Sequence, residues 1–313
     1  MRKLSKKSFE EIRLWVYRNA RQFELALWQY EFENGSKEAV LSALSHYQND
    51  DGGFGNALEA DSWNPNSTPY TTKVVINLLK SINFTDANHP IIQGMLKFFE
   101  SGKHRAEYGW LWAIPSNDDY AHAPWWNYDP KMNETYYIDI TPTIVCFLLQ
   151  FAKKESALYK QAIAFTNRLL SDFKKPENKK QGLHGRYALS EMINQLELTD
   201  QFDTSHLTDN LKAHIDEVIC RDVSQWADYN VKPSEFISSP SSLFYLGNEE
   251  IVHTELDYLI DIRPENDVWG ITWKWWENYD KYPKEFAISE NWWKSWIAIE
   301  KLKVLREFDR LDI

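Results

Sequence analysis

The stretch YQNDDGGFG, residues 47–55, is the part of this sequence from which the fold can be inferred. A predicted helix leads into it, and its glycines turn the chain. Thr68-Pro69 follows, and a capping hydroxyl with proline at the first helical position is a typical helix start. Similar starts recur at Thr141-Pro142, at Ser239-Pro240 and at Ser289. The recurrence predicts a series of helical hairpins along the chain.

The predicted hairpins pair a buried helix with a half-buried one. The helix after Thr68-Pro69 contains VVINLL, residues 74–79, and is apolar on nearly every side, which is typical of a buried helix. The next helix, residues 90–100, has polar residues between its apolar ones, which is typical of an outer helix. Before them, one long helix is predicted, capped by Ser8 and ended by Asn34-Gly35. No alternating run of Val, Ile and Thr is long enough for a sheet, so the sequence predicts an all-α fold.

Aromatic residues are frequent in this chain, with 15 Trp, 16 Tyr and 16 Phe among 313 residues. Large rings can fill an ordinary core. They can also line a cavity, because Trp and Tyr present flat faces to sugars, cations and apolar ligands. Both interpretations stay open at this point.

Charge and hydropathy limit the partners that this chain can be expected to have. The formal net charge of −11 argues against a nucleic-acid partner, since such binding depends on Lys and Arg neutralising phosphates. No apolar run approaches the roughly 18 residues of a membrane span. Cys146 and Cys220 lie in apolar helical contexts, which is typical of buried thiols. The basic N-terminus has no apolar signal segment, so a cytoplasmic protein is expected, and the sequence does not indicate its oligomeric state.

Residues 48–55 resemble the Q-x-x-D-G-G-F-G repeat of the protein prenyltransferase and squalene/terpene cyclase superfamily. A closer similarity is to bacterial proteins of that superfamily that have no assigned activity. Their motifs occur here in order as DGGFG (51–55), LEAD (58–61), Thr68-Pro69, APWW (123–126) and a Trp-rich segment (269–276). The resemblance implies an α/α toroid, a barrel of helical hairpins whose inner helices surround a central cavity. It implies one such domain over residues 1–313, with residues 1–35 as an N-terminal helix that packs on the toroid.

The sequence departs from the catalytic motifs of the characterised relatives. It lacks the Asp-x-Asp-Asp run of protonating cyclases, and DDYAH, residues 118–122, ends in His where the diphosphate-Mg²⁺ motif Asp-Asp-x-x-Asp has Asp. The Asp-x-Cys zinc motif of protein prenyltransferases is missing, because Ile144 and Val218 stand two places before the cysteines. We therefore expect neither a metal site nor a cofactor.

Glu59 and Asp61 are the candidate catalytic residues, because they follow the glycine-rich turn and precede Trp63 closely. Two carboxyl groups near an aromatic wall suit general acid–base catalysis if burial raises the pKa of one of them. They could equally cap helices or tie loops together. The candidate substrate-binding residues are Trp63, Trp125, Trp126, Trp269, Trp273, Trp276 and His122. Paired rings suit stacking on a sugar or stabilising a carbocation, and they could also simply pack the mouth of the barrel.

Three functions are compatible with these features. The first is an enzyme of the terpenoid cyclase and prenyltransferase-like superfamily, with an isoprenoid-like ligand in an aromatic, acidic central cavity. The second is a carbohydrate-active hydrolase or lyase, because α/α toroids also occur in that class and Trp beside carboxylates suits sugars. The third is a non-catalytic protein that binds a small molecule in the same cavity. The fold cannot decide among them, since one fold hosts many functions.

Overall fold

The computed structural model describes residues 1–173, 183–197, 201–204 and 207–313, with the backbone alone at residues 183, 184, 186 and 197. These ranges contain thirteen α-helices, joined by loops and short 3-10 turns, with isolated β-bridges and no sheet. The prediction of an all-α fold is therefore confirmed. The closed toroid stays a prediction.

The helices differ widely in length, from four residues in α12 to 25 in α13. They are α1 (Lys6–Asn19), α2 (Gln22–Phe32), α3 (Lys37–Ser45), α4 (Pro69–Ser81), α5 (Pro90–Glu100), α6 (Pro130–Tyr136), α7 (Thr141–Phe151), α8 (Ala157–Phe173), α9 (Leu183–Glu197), α10 (Thr208–Val218), α11 (Glu249–Asp261), α12 (Trp276–Tyr279) and α13 (Pro283–Glu307). Proline opens α4, α5, α6 and α13, where its missing N–H is not needed. The predicted cap of α4 is confirmed, because Thr68 Oγ1 accepts from the Thr71 N–H at 2.9 Å.

Three predicted helix starts are wrong. The first helix is two helices, because the backbone is extended at Ala20, and Ser5 caps α1 by accepting from the Ser8 N–H. No helix follows Ser239-Pro240, where the Ser239 hydroxyl shares a hydrogen bond with the hydroxyl of Ser241 instead of capping. Ser289 is buried inside α13 rather than at its start. Serine side chains can cap a helix, bond to a neighbouring side chain or pack in the core, and the sequence position alone does not decide which of these occurs.

The chain divides into two compact units. The terminal unit comprises Met1–Ala43 and Ile215–Ile313, and the central unit comprises Leu44–His214. This division does not test the single toroid domain over residues 1–313, or the N-terminal helix of residues 1–35 packed on it, and both stay predictions. Across the described ranges, every helix is too short or too polar to cross a bilayer.

The terminal unit is built on α13, which packs against α1 and α2. Its inward face buries Ile299, Leu302 and Leu305. Near its end, Arg306 Nη2 donates to Glu31 Oε2 at 2.9 Å. These contacts join the first helices of the chain to the last one.

The central unit is organised around α7, which packs against α4, α8 and α9. Its sequence, TPTIVCFLLQF, contains no charged residue, and most of its side chains are buried. A helix without a polar face must be covered by neighbours on most sides, which explains this position. Helices α4 and α7 are each followed by a further helix, α5 and α8, so two of the predicted pairs are present in this unit.

Candidate functional site

The glycine-rich turn is locked against α5 by close backbone packing. Gly52 has a φ of +90°, and a Cβ on it would lie 1.9 Å from the carbonyl oxygen of Gly94. The Gln48 side chain donates from Nε2 to the carbonyl oxygens of Gly52 at 2.9 Å and Ile91 at 3.2 Å. The motif that decided the fold prediction therefore has a structural role, which is to fix the turn on the following hairpin.

A polar cleft of about 520 Å³ lies beside this turn. The amide groups that line it already bond within the protein. Asn49 Nδ2 donates to the Pro65 carbonyl oxygen at 2.9 Å, and Asn56 Nδ2 donates to Asn49 Oδ1 at 3.1 Å. Asn66 Nδ2 donates to Asn64 Oδ1 at 2.9 Å. Since these donors hold the loop together, the cleft offers few of them to a polar ligand.

Two loops of the central unit carry most of the predicted site residues, and they pair with each other. Ser62 and His122 form an antiparallel bridge. The Trp63 N–H donates to the Ala121 carbonyl oxygen at 2.9 Å. This pairing places six predicted site residues in one region: Glu59, Asp61, Trp63, His122, Trp125 and Trp126. Four of them are buried, namely Glu59, Asp61, His122 and Trp126.

Both ring nitrogens of His122 lie close to oxygen atoms. Nδ1 is 2.7 Å from the Tyr120 carbonyl oxygen, and Nε2 is 2.7 Å from Asn127 Oδ1. A ring held from both sides keeps a fixed orientation, which orders the loop that leads to Trp125 and Trp126. The contacts support a positioning role for His122.

The three other predicted substrate-binding tryptophans belong to the terminal unit. Trp269 is buried, and its Nε1 donates to the Leu259 carbonyl oxygen at 2.8 Å. Trp273 packs edge-on against Trp293, with ring centroids 5.3 Å apart. Trp276 is 61% exposed. Trp269 and Trp273 are therefore partly used in packing within their own unit.

An aromatic cluster in the central unit consists of Tyr70, Trp112, Trp126 and Tyr136. The Tyr70 ring lies 4.3 Å from the Trp126 ring and 4.7 Å from the Trp112 ring, edge-on to both. Trp112 and Trp126 stack at 4.7 Å, and Tyr136 lies 5.6 Å from Trp112. Trp112 and Trp126 are buried while both tyrosines are half-buried, so the cluster reaches the edge of the core.

Lys73 and Asp139 adjoin this aromatic cluster. The Lys73 ammonium lies 5.3 Å from the centre of the Tyr70 ring. Burial raises the pKa of the Asp139 carboxyl from 3.8 to about 7, and the charge of Lys73 opposes the rise. Burial lowers the pKa of Lys73 from 10.5 to about 8, and the charge of Asp139 opposes the fall. Two titrating groups thus change protonation near neutral pH in one place, a pattern that is common in active sites.

Asp139 is 2% exposed, yet no described residue bonds to its Oδ1. The Nε1 of Trp126 is also buried without an acceptor in the described ranges. Helix α9 covers the carboxyl with Gly185, where a Cβ would lie 2.6 Å from Asp139 Oδ1. Buried polar groups without partners are rare and destabilising in proteins, and two of the several such atoms among the described residues lie in or next to this cluster.

Helices α4, α7 and α9 run past this cluster in the same direction. Lys73, Asp139 and Gly185 mark one level, near the beginning of each helix. Seven or so residues further along, Lys80 of α4 pairs with Glu191 of α9, and both charges act on Cys146 of α7. The order of contacts is the same along all three helices, which requires a parallel arrangement.

A second cleft, of about 410 Å³, lies between α4, α7 and α9. It begins one helical turn from the pair, at Asn77 and Thr143, which lie four residues after Lys73 and Asp139. Apolar side chains line much of it, namely Ile76, Leu79, Phe84, Phe147, Phe151 and Met192. Its volume is within the range of small-molecule sites.

Several polar side chains on the wall of this cleft form no hydrogen bond with the described residues. Within the described part of the chain, no hydrogen bond is made by the side chains of Asn77, Gln150, Asn194 and Gln195. The contrast with the bonded amides of the polar cleft is clear. An apolar interior with free amide groups suits a molecule that is largely apolar and carries a neutral polar group.

The motifs of the sequence do not single out Lys73, Asp139, Tyr70 and Trp112. A signal was present, because Lys73 is a charged residue that directly precedes the apolar run of α4, residues 74–76. Asp139 lies two residues before the second Thr-Pro helix start. A charged residue at the same end of two buried helices can indicate a shared site, provided that the helices are parallel neighbours.

No group of three or more His, Cys, Asp and Glu side chains within the described ranges could hold a metal ion. No protein-family model, curated protein or solved structure matches this chain. The resemblance to the prenyltransferase and terpene cyclase superfamily therefore depends on its motifs alone and stays a prediction.

Proposed function

We propose that this chain is an enzyme that performs acid–base chemistry on a small, largely apolar organic molecule bound in the central unit. Asp139 and Lys73 are the proton-transferring groups. The observation that carries the proposal is the buried Asp139 carboxyl, which has an oxygen without a donor in the described residues and lies beside a lysine and an aromatic cluster.

The acid–base role follows from the protonation states of the pair. A general acid or base works best when its pKa is near the working pH, since it must be able to both give and take a proton. The pKa of Asp139 is raised to about 7, so both forms are populated at neutral pH. A carboxyl kept for structure alone is normally bonded on both oxygens, whereas Asp139 Oδ1 has no donor among the described residues.

The substrate class follows from the cleft between α4, α7 and α9. Its apolar side chains, including Phe84, Phe147 and Met192, suit the body of an apolar molecule, and its amide side chains suit a polar end group. The rings of Tyr70 and Trp126 could stabilise positive charge on a reacting carbon. An isoprenoid is therefore the favoured substrate class, in agreement with the resemblance stated for the sequence.

Glu59 and Asp61 keep their predicted role as candidate acid and base, in the loop pair that leads to Trp126. A carbohydrate substrate has less support, because the amides of the polar cleft are already bonded to the protein. A non-catalytic binding protein would not need a buried carboxyl oxygen, Asp139 Oδ1, that has no donor among the described residues. The proton-transferring pair therefore favours the enzyme.

A thermal-shift screen tests the proposed substrate class. The panels are isoprenoid alcohols and diphosphates with Mg²⁺, and neutral and acidic oligosaccharides. A ligand at about a hundred times its Kd should stabilise the protein by roughly 2.7 kcal/mol. We expect a shift with an isoprenoid and none with the sugars; shifts with sugars alone would contradict the proposal.

Filling the cleft locates the binding site. Met192→Trp should abolish the isoprenoid shift, because Met192 lines the cleft. Met132→Trp makes the same change at an exposed residue of α6 and should leave the shift intact. If Met192→Trp does not fold, Gln195→Trp fills the cleft from a half-buried position. An unchanged shift in a folded cleft variant would show that the ligand binds elsewhere.

A further inference from the structure

The Lys73 amine is unengaged in a way that lysines near it are not. Its side chain is half-buried, its closest charged influence is Asp139, and among the described residues it forms no direct ion pair. Lys80, seven residues later on the same helix, pairs with Glu191. A half-buried ammonium that has a ring face but no ion-pair partner among the described residues loses part of its hydration, which favours the neutral amine.

We propose that Lys73 is a nucleophilic amine that condenses with an aldehyde or ketone carbonyl of the bound molecule. Asp139 supplies the proton that lets the carbonyl oxygen leave as water. This inference rests on the proposed acid–base site, and it adds covalent catalysis and a substrate class, an apolar carbonyl compound.

The bonds and protons of the step balance with the groups present. The neutral Lys73 amine attacks the carbonyl carbon, a C–N bond forms as the C=O π bond breaks, and the oxygen takes a proton from the attacking nitrogen to give a carbinolamine. The Asp139 carboxyl then donates its proton to the hydroxyl group, the C–O bond breaks, and water leaves. The nitrogen lone pair forms the C=N bond, which leaves an iminium ion beside the Asp139 carboxylate. No oxidant or reductant is needed.

The surroundings suit each part of this step. With a pKa of about 8 instead of 10.5, the neutral fraction of the Lys73 amine near pH 7.5 increases on the order of 100-fold. The iminium cation would lie near the face of Tyr70, where the ammonium lies now. The cleft starts at Asn77, one turn from Lys73 on the same side of α4, so it can hold the apolar body of the carbonyl compound.

Reductive trapping tests the proposal on the full-length protein. Hexanal is added at about pH 7.5 with sodium cyanoborohydride, which reduces an imine to a stable secondary amine, and peptide mass spectrometry measures the rate at each lysine. We expect Lys73 to be alkylated about ten-fold faster or more than Lys131, an exposed lysine of α6. Equal rates at the two lysines would overturn the proposal, and this comparison needs no variant.

Variants separate the roles of the two groups. Asp139→Asn should slow trapping at Lys73 several-fold and leave Lys131 unchanged, whereas Lys160→Arg, at an exposed lysine of α8 outside the cleft lining, should change neither rate. If Asp139→Asn does not change the trapping rate at Lys73, the role of Asp139 as proton donor is overturned.

If Lys73 is not trapped while isoprenoids still bind in the cleft and Asp139 still titrates near neutral pH, only the imine chemistry is wrong. Loss of binding and titration as well would contradict the proposed function itself.

Discussion

The central and terminal units each bury a carboxyl group in the neighbourhood of a lysine, Asp139 with Lys73 and Glu255 with Lys301. Burial raises the pKa of both carboxyl groups to about 7. Burial also lowers the pKa of both lysines to about 8. By their pKa values alone, the two places could not be told apart.

Hydrogen bonding separates them. Glu255 accepts from the Ser234 N–H at 2.7 Å and from the Ser234 hydroxyl at 2.6 Å, one bond to each carboxyl oxygen. Asp139 Oδ1 has no such donor among the described residues. A shifted pKa therefore reports burial, which structural and functional groups share, whereas a missing partner indicates a group that is kept for another purpose.

Asp139→Asn should have the largest effect on stability. The raised pKa means that the folded state binds this proton more tightly than the unfolded state does. The resulting stabilisation is complete below about pH 3.8 and is lost as the pH rises through about 7. A neutral Asn loses nothing over this interval, so relative to wild type the variant should gain up to about 4 kcal/mol between pH 4 and pH 8.

Urea unfolding at several pH values measures this gain. Asp280→Asn, which removes an exposed carboxylate in the terminal unit, controls for the loss of one surface charge. Parallel stability curves for wild type and Asp139→Asn would show that burial does not raise the pKa of Asp139.

Ser234→Ala should act in the opposite direction. Removing the hydroxyl leaves Glu255 Oε1 buried without its donor, which costs about 1–3 kcal/mol at pH 8, where the carboxylate is charged. The loss should be smaller at pH 5, because a protonated carboxyl needs fewer donors. Denaturant unfolding at the two pH values gives the difference, and Ser241→Ala, at an exposed serine, is the control. If Ser234→Ala keeps the wild-type free energy of unfolding at pH 8, the Ser234 hydroxyl does not stabilise the Glu255 carboxylate. The contrast in hydrogen bonding between Glu255 and Asp139 would then have no energetic consequence.

Two Trp→Phe substitutions provide the smallest and most closely matched test. Both remove the same volume and the same N–H from a buried ring. Trp269 Nε1 donates to the Leu259 carbonyl oxygen, whereas Trp126 Nε1 has no acceptor among the described residues. Trp269→Phe should therefore cost about 1 kcal/mol more than Trp126→Phe in the free energy of unfolding. Equal costs would indicate that the Trp126 N–H is not a vacant donor.

Much of the helical framework could be predicted from the sequence, because its signals are local. The Thr68 cap, the proline starts and the all-apolar composition of α7 each depend on residues close together in the chain. The division of α1 from α2 could not be predicted, since it depends on the extended backbone at Ala20 and not on a proline or glycine.

The candidate site was predicted only in part, because it depends on tertiary packing. Trp126 was selected for its aromatic motif and does lie in the cluster. Lys73 and Asp139 carry no motif, and each is an ordinary residue until the packing of α4 against α7 lets their charges interact, with Lys73 at the face of Tyr70. The side-chain hydrogen bonds could not be predicted from the sequence either. Without them, Glu255 and Asp139 would be equally good candidate acids, because burial raises the pKa of both.

Helix α7 begins at Thr141, two residues after Asp139, and no side chain caps its first turn. The aligned peptide dipoles of a helix place roughly half a positive charge at such an end. A negative charge that develops beside Asp139 during a reaction therefore lies in a favourable field that originates in the backbone. Part of the electrostatic stabilisation at this site would then survive any single side-chain replacement, because the helix itself provides it.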